Sequence, residues 1–177
     1  RDPTSMCYTS GTTGRPKGAM ISQDNICAVL ASLSATLYEG LPRGGERIAF
    51  LPLCHIAERM IGEFVPIERG SIVNFVENPE TVFENLREVR PSLFFAVPRV
   101  WEKVYSQVAI GLSEADKLQQ AAYGWAMQVG RAVAQCTLEG REPSGSLKLR
   151  YKLAQWLALN NVKRMIGMDR VEVGLTG

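Results

Sequence analysis

Histidine and cysteine are scarce in this sequence. The chain of 177 residues contains one histidine, His55, and four cysteines, at positions 7, 27, 54 and 136. No two cysteines have the short spacing of a zinc motif, and one histidine cannot complete a mixed Cys/His site. The sequence therefore excludes a Cys/His zinc site. Scattered cysteines in mostly apolar surroundings predict buried thiols in a reducing compartment.

An excess of one charge is also missing. The 20 basic and 18 acidic residues give a net charge of +2, which is too small to indicate nucleic acid as a partner. The sequence has no signal peptide and no uninterrupted apolar run long enough to span a bilayer. Its apolar content of 46% is that of an ordinary soluble domain. We therefore expect a cytoplasmic protein with a true hydrophobic core.

The stretch Tyr8–Gly18 is rich in glycine, serine and threonine and has the composition of an anion-binding loop. Glycines let backbone N–H groups approach a phosphate, hydroxyls add donors, and Lys17 adds a mobile charge. The helix-opening phosphate loop, which needs Gly-Lys-Ser/Thr in succession, is absent. Short apolar segments at 6–8 and 19–21 predict flanking strands. The stretch therefore predicts a strand–loop–strand phosphate clamp.

Strands and helices alternate after the clamp. The predicted strands are 47–53, 72–76 and 93–97, and the predicted helices start near Ser22 or Asp24, near Ile56 and near Thr81. Short connections between alternating elements are typical of a doubly wound α/β fold with a mostly parallel sheet.

Helices dominate the sequence after Pro98, and this pattern indicates a helical insertion into the α/β alternation. Helical segments are predicted from Pro98, from Ser113 and from 146 to about 165, before a strand at 170–175. We therefore predict one incomplete domain. Its parts are an α/β part at 1–98, a mainly helical part at 99–168 and a returning strand at 169–177.

His55 directly follows a predicted strand. Ligands of parallel sheets bind beyond the carboxyl ends of the strands, so His55 and the segment 97–99 both lie at the expected ligand edge. A lone histidine is most often structural, but a neutral imidazole at this edge can donate a hydrogen bond to an oxygen atom of a ligand. We favour the second role. The neighbouring Glu58 and Arg59 are predicted to lie on a solvated or ion-paired helix face.

Three stretches resemble adenylate-forming, AMP-binding enzymes. Tyr8–Gly18 resembles the signature of acyl- and aryl-CoA synthetases, luciferases and peptide-synthetase adenylation domains. Leu51–Arg59 and Val97–Glu102 are similar to segments of long-chain and very-long-chain fatty acyl-CoA synthetases. The resemblance implies that the chain is an internal fragment of a large N-terminal adenylation domain.

The resemblance also implies a two-step ligase reaction. A fatty carboxylate attacks the α-phosphorus of Mg-ATP, and the thiolate of CoA then displaces AMP from the acyl-adenylate. The resemblance thus implies ATP and CoA as substrates and Mg²⁺ as cofactor. It implies Lys17 and His55 as catalytic residues. His55 would also contact the substrate carboxylate. Thr9 is also implied as a Mg²⁺ contact, and Arg15 is expected to face solvent. The leaving phosphates would be held by Thr9, Ser10, Gly11, Thr12, Thr13, Gly14 and Lys17.

Several parts of the family pattern are expected beyond Gly177. These are an acid for Mg²⁺, an aspartate for the ribose and the catalytic lysine of a small C-terminal domain, so we expect the 177 residues alone to be inactive. Two other interpretations stay open. The parent could adenylate another carboxylic acid, such as an aryl or amino acid, or it could bind nucleotide without catalysis.

The third helical stretch is basic. Its cations are Lys148, Arg150, Lys152, Lys163 and Arg164, and its apolar side carries Leu149, Leu153, Trp156 and Leu157. A helix of this kind can rest on an anionic membrane surface, which would give peripheral membrane contact. The alternative is a solvated basic rim on a helix that packs against the core.

Overall fold

A computed structural model describes residues 2–9, 14–39 and 43–177. The chain divides into two units, Arg1–Ala96 with Arg170–Gly177, and Val97–Asp169. The strands of the described residues belong to the first unit, and the second unit is helical.

A two-stranded antiparallel hairpin opens the chain. Strands β1 (Pro3–Thr9) and β2 (Lys17–Ser22) pair so that Cys7 lies opposite Ala19 and Thr9 lies opposite Lys17. The hairpin confirms the two predicted flanking strands. It is a separate sheet and shares no strand with the parallel sheet described below.

Helix α1 (Gln23–Thr36) follows β2 without a linker. The hydroxyl of Ser22 accepts a hydrogen bond from the Asn25 N–H at 3.3 Å, and the Asn25 side chain accepts one from the Ser22 N–H at 3.0 Å. This reciprocal capping satisfies two backbone donors at the helix start. It confirms Ser22, one of the two predicted positions, as the cap.

The second sheet has four parallel strands in the order β4-β3-β5-β6. Their bounds are Glu46–Ala49 for β3, Ile72–Phe75 for β4, Leu93–Ala96 for β5 and Val173–Thr176 for β6. The predicted α/β class with a mostly parallel sheet is confirmed. Strand β3 ends at Ala49, earlier than predicted. The strand order reverses between β3 and β5, because the chain runs outward to β4 and then returns past β3.

Helical connections join the parallel strands. Between β3 and β4 lie α2 (Ile56–Arg59), a π-helical stretch (Met60–Phe64) and α3 (Val65–Arg69). A 3₁₀ turn (Pro79–Thr81) and α4 (Val82–Val89) join β4 to β5. The side chain of Asn78 accepts from the Glu80 N–H at 3.0 Å, which confirms Asn78 as the predicted cap.

The core of the first unit lies between the sheet and its helices. Phe94 and Leu86 are fully buried, and the ring of Phe94 stacks on Phe50 with 6.1 Å between centroids. Tyr38, Val65 and Leu93 form a second buried cluster against leucines of α1. Burial of these side chains supplies most of the driving force that holds the helices on the sheet.

The second unit consists of helices. They are α5 (Pro98–Ser113), α6 (Lys117–Leu138), α7 (Gly145–Ala154), a π-helical stretch (Gln155–Leu159) and α8 (Asn160–Met165). Its core contains Ala126, Val129, Ala154 and Ala158. The small alanines let α6 approach its neighbour closely. No helix in the described ranges has both the length and the apolar character needed to cross a membrane.

The predicted apolar side of the third helical stretch is not the side that packs. Leu149 and Trp156 are 71% and 73% exposed, whereas Ala154 and Ala158 are buried against α6. The expectation of buried cysteines also holds only in part. Cys7 is buried, but Cys27 and Cys54 are exposed, because the first lies on the outer face of α1 and the second on the loop after β3.

Candidate functional site

The reversal of strand order marks one edge of the parallel sheet as the place for a ligand. At such a switch point, the connections after two neighbouring strands diverge and leave a crevice beyond the carboxyl ends. Strands β3 and β5 are the neighbours here. The loop that follows β3 leads directly to His55, so the structure confirms that His55 lies beyond a strand end.

The hairpin brings two of the predicted phosphate-binding residues together. Thr9 is the last residue of β1 and Lys17 the first of β2, and they are register partners with exposed side chains. Gly14 has φ +102°, which glycine adopts without strain. Ser10, Gly11, Thr12 and Thr13 lie outside the described residues. Arg15 is exposed, in agreement with the expectation that it faces solvent.

Gly18 lies under two side chains of β1. A Cβ at this position would lie 2.8 Å from Sδ of Met6 and 3.3 Å from the ring of Tyr8. Both side chains are exposed, so they could turn aside from a larger residue. The glycine therefore lets Met6 and Tyr8 lie against the backbone next to Lys17.

His55 caps helix α2. Its Nδ1 accepts a hydrogen bond from the Ala57 N–H at 3.2 Å, and the imidazole is exposed. A ring nitrogen that accepts carries no proton, so the proton of the neutral ring is on Nε2. The cap is the structural role of His55, and it leaves the Nε2–H as a donor for a ligand. One side chain can thus serve both roles.

Arg59 links the hairpin to the loop that carries His55. Its Nε donates to the Leu53 carbonyl at 3.0 Å, and its Nη1 donates to the Met6 carbonyl at 3.3 Å and to Oγ of Ser5. These partners are neutral oxygens, and the side chain is half-buried. The predicted solvated or ion-paired role of Arg59 is therefore wrong, because its face of α2 packs against β1.

Glu58 is buried and not solvated. Only 4% of the residue is exposed, and its burial raises the pKa of the carboxyl to about 7, against the opposing effect of the Arg47 charge. Arg47 is itself 3% exposed and donates from Nη1 to the Ile61 carbonyl. Burial lowers the pKa of this guanidinium. The prediction failed for Glu58 because the π-helical stretch that follows α2 packs this side of the helix towards β3.

A magnesium site is not formed by the described residues. Within residues 2–9, 14–39 and 43–177, no group of three His, Cys, Asp or Glu side chains could hold a metal ion. The Thr9 hydroxyl alone does not match the several oxygens that Mg²⁺ requires. Arg99 is exposed on the first turn of α5 and belongs to the second unit.

A family model with the description "AMP-binding enzyme" matches residues 1–166. The chain is 34% identical to the long-chain-fatty-acid–CoA ligase ACSBG2 of Gallus gallus, over 97% of this chain and 23% of the relative. It is 33% identical to the putative fatty-acid–CoA ligase fadD11 of Mycobacterium tuberculosis, over 99% of this chain and 31% of the relative. The chain thus spans 23% and 31% of the lengths of these two relatives.

A solved structure shares the fold. The adenylation domain of a carboxylate reductase from Mycobacterium chelonae superposes with a TM-score of 0.52 and 22% identity, over 97% of this chain and 22% of that chain. At this identity the likeness concerns the fold. It agrees with the parallel sheet and flanking helices described above.

Proposed function

Because the chain belongs to the AMP-binding enzyme family, we propose that the full-length protein containing it activates a long-chain fatty acid with ATP and transfers the acyl group to CoA. The observation that carries the proposal is the similarity of almost the whole chain to proteins named as fatty-acid–CoA ligases. The site geometry supports it, since the hairpin presents a lysine and a hydroxyl side by side.

The hairpin would bind the phosphates that leave in the first half-reaction. A carboxylate oxygen attacks the α-phosphorus of Mg-ATP, the bond to the β-phosphate oxygen breaks, and pyrophosphate departs. Lys17 and Thr9, with Ser10–Gly14, would hold the β- and γ-phosphates. In such a reaction the protein contributes mainly positioning and neutralisation of charge. Mg²⁺ would enter with ATP as part of the substrate.

His55 would orient the fatty acid. Its Nε2–H is free to donate to the substrate carboxylate or to the acyl phosphate oxygen, while Nδ1 remains fixed by the helix cap. A general base is not required, because a carboxylic acid is already ionised at neutral pH. We assign no residue of this chain to the thioester step.

Pyrophosphate exchange with the full-length protein tests the proposal. The assay is run with palmitate, with an aryl acid such as benzoate and with a panel of amino acids. We expect exchange that depends on palmitate, followed by palmitoyl-CoA when CoA is added. Exchange that depends on another acid and does not occur with palmitate would assign the protein a different substrate class. Nucleotide binding without any exchange would favour a binding module that has no catalysis.

We also propose a cytoplasmic protein in peripheral contact with membranes. The contact would be made by a membrane face formed by Leu149, Leu153 and Trp156 together with Arg150 and Lys152. The three apolar residues are 71%, 47% and 73% exposed, at helical spacing, and the two cations flank them. Apolar side chains next to basic ones complement a bilayer with anionic lipids. A long-chain fatty acid would also reach the enzyme from such a surface.

A further inference from the structure

Arg59 contacts both parts of the candidate site, the hairpin with Lys17 and the turn that carries His55. It is the last residue of α2, one helical turn after His55. Long side chains of a helix point back towards its amino end, so the Arg59 side chain reaches the segments around the helix start. The proposed reaction assigns no substrate contact to this side chain.

The Nε side of the Arg59 guanidinium holds the turn. The His55 N–H donates to the Pro52 carbonyl at 3.0 Å, which closes a turn over residues 52–55. Leu53 lies inside this turn, and its carbonyl accepts a hydrogen bond from Nε of Arg59 at 3.0 Å. Together with the helix cap, this hydrogen bond fixes the backbone that presents the imidazole.

The Nη1 side of the same guanidinium holds β1. Nη1 donates to the Met6 carbonyl at 3.3 Å and to Oγ of Ser5. A guanidinium is a planar and rigid fork, so its Nε and Nη1 keep a fixed separation and orientation. The two sets of hydrogen bonds therefore fix the spacing between β1 and the turn.

Ser5 identifies the face of the hairpin that Arg59 holds. Side chains alternate along a strand, so Ser5, Cys7 and Thr9 share one face of β1. Thr9 is the register partner of Lys17, and directly opposed residues project to the same side. Cys7 is buried and Ser5 is half-buried, whereas Thr9 and Lys17 are exposed. Arg59 thus holds the face from which both proposed phosphate contacts project.

We propose that Arg59 is a positioning residue that couples the phosphate-binding hairpin to the turn of His55. The inference rests on the function proposed above, in which the hairpin holds the leaving phosphates and His55 holds the attacking carboxylate. The attacking and leaving oxygens of such a displacement lie roughly in line. A misplacement of about 1 Å can lower the rate about 100-fold, so a rigid link between the two binding groups raises the rate without touching either substrate.

Pyrophosphate exchange by full-length Arg59→Met tests this inference, because methionine removes every donor and keeps an unbranched side chain. We expect the maximal rate to fall about 10- to 100-fold, while the KM values for ATP and palmitate change by less than about threefold. Arg59→Lys should recover part of the rate, since its one ammonium group can serve one side of the link. Val82→Ala is the control for lost stability, because Val82 is 3% exposed on α4 and belongs to neither segment.

Hydrogen exchange of the substrate-free full-length protein gives a readout that does not need catalysis. In Arg59→Met, amide exchange should become faster in both 3–9 and 51–58, because each segment loses its hydrogen bonds to the guanidinium. Val82→Ala should not produce this joint change. Unchanged exchange in either segment would overturn the link.

The outcomes separate positioning from a structural role. A lower maximal rate with nearly constant KM values, in Arg59→Met but not in Val82→Ala, supports the inference. An unchanged maximal rate, or a rise confined to one KM, overturns it. A wild type that exchanges no pyrophosphate with any acid contradicts the proposed function instead, and hydrogen exchange then decides whether Arg59 joins the segments. If Arg59→Met does not fold, Ser5→Ala decides, with an expected loss of about fivefold in rate for one hydrogen bond; an unchanged rate there overturns the inference.

Discussion

The carboxylate of Glu58 occupies the space where a side chain at Gly62 would begin. A Cβ built on Gly62 lies 2.8 Å from Oε1 of Glu58 and 3.6 Å from the Cβ of Ala49. The glycine is therefore the reason that a helix carrying a buried acid can pack this closely on β3.

Replacing Gly62 with alanine should destabilise the protein. The new methyl group would displace a carboxyl that is only 4% exposed and cannot move out to solvent. Overpacking of this kind costs about 1–3 kcal/mol, which exceeds the gain of about 1 kcal/mol in helix propensity. Chemical denaturation measures the change.

Two variants control the Gly62 prediction. Gly124→Ala on α6, where no atom lies within 4 Å of the added methyl, should be neutral or stabilising. In a Glu58→Ala background the cost of Gly62→Ala should shrink, because the obstructing carboxyl is gone. An undiminished cost in that background would contradict the proposed clash.

Stability should depend on pH through Glu58. Its pKa is raised to about 7 in the folded protein from the ordinary value of 4.5. Between these values the folded state holds a proton that the unfolded state has released, so stability falls as the pH rises through this window and then levels off. We expect a loss of roughly 3 kcal/mol between pH 4.5 and 8. Denaturation of the wild type and of Glu58→Gln from pH 4.5 to 8 isolates this contribution, which should vanish in the variant.

Lys17 and Arg15 offer a matched pair of cations in the clamp. If Lys17 holds the leaving phosphates, Lys17→Ala should lower the rate of pyrophosphate exchange by about 100-fold. A loss of this size is usual when one hydrogen-bond donor that stabilises the charge of the transition state is removed. Arg15→Ala removes the same charge two residues away, from an exposed position, and should change the rate little. Equal effects of the two substitutions would count against a specific role for Lys17.

Two substitutions separate the roles of His55. Asparagine caps helices well, whereas alanine costs about 1 kcal/mol at an N-cap. His55→Asn should therefore keep thermal stability but raise the KM for the fatty acid, since the Nε2–H donor is lost. His55→Ala should show both effects. If neither variant changes the KM for the fatty acid, the role of His55 is limited to capping helix α2.

The membrane face can be tested with vesicles. Trp156→Ser and Leu149→Ser should weaken sedimentation with phosphatidylcholine vesicles that contain phosphatidylserine, and added salt should weaken it further, by about 1 kcal/mol per cation that is screened. Leu138→Ser is the control, because Leu138 is 83% exposed but belongs to α6 and not to the membrane face. The same loss in Leu138→Ser would argue against a specific face.

Much of the fold could be predicted because its signals are local. Ser22 and Asn78 identify helix starts, Pro98 opens α5, and apolar segments bounded by turns identify the parallel strands. The family match over 1–166 confirms the resemblance that Tyr8–Gly18 suggested. Both kinds of signal depend on residues that are adjacent in the chain or a helical turn apart.

The features that escaped prediction depend on distant partners. Arg59 donates a hydrogen bond to Ser5, which lies 54 residues earlier in the sequence. No sequence pattern near either residue predicts this contact. Glu58 has the appearance of a surface acid, and its burial follows from packing onto β3. Gly62 lies one helical turn after Glu58 and could have indicated this burial. A glycine next to a long side chain on one helix face suggests that another element packs closely against that face. The sequence left open whether the apolar side of the third helical stretch faces the core, and distant partners decide this too, since Ala154 and Ala158 take the core positions.

The pairing of β5 with β6 has a consequence for the order of assembly. Leu93 lies beside Val173, and the helical unit Val97–Asp169 separates them along the chain. Closing so long a loop is entropically costly while the segment is unfolded. Helices form from local contacts and fold quickly. Once the helices have formed, fewer flexible residues separate β5 from β6. We therefore expect strand β6 to complete the sheet last, after the helical unit has folded.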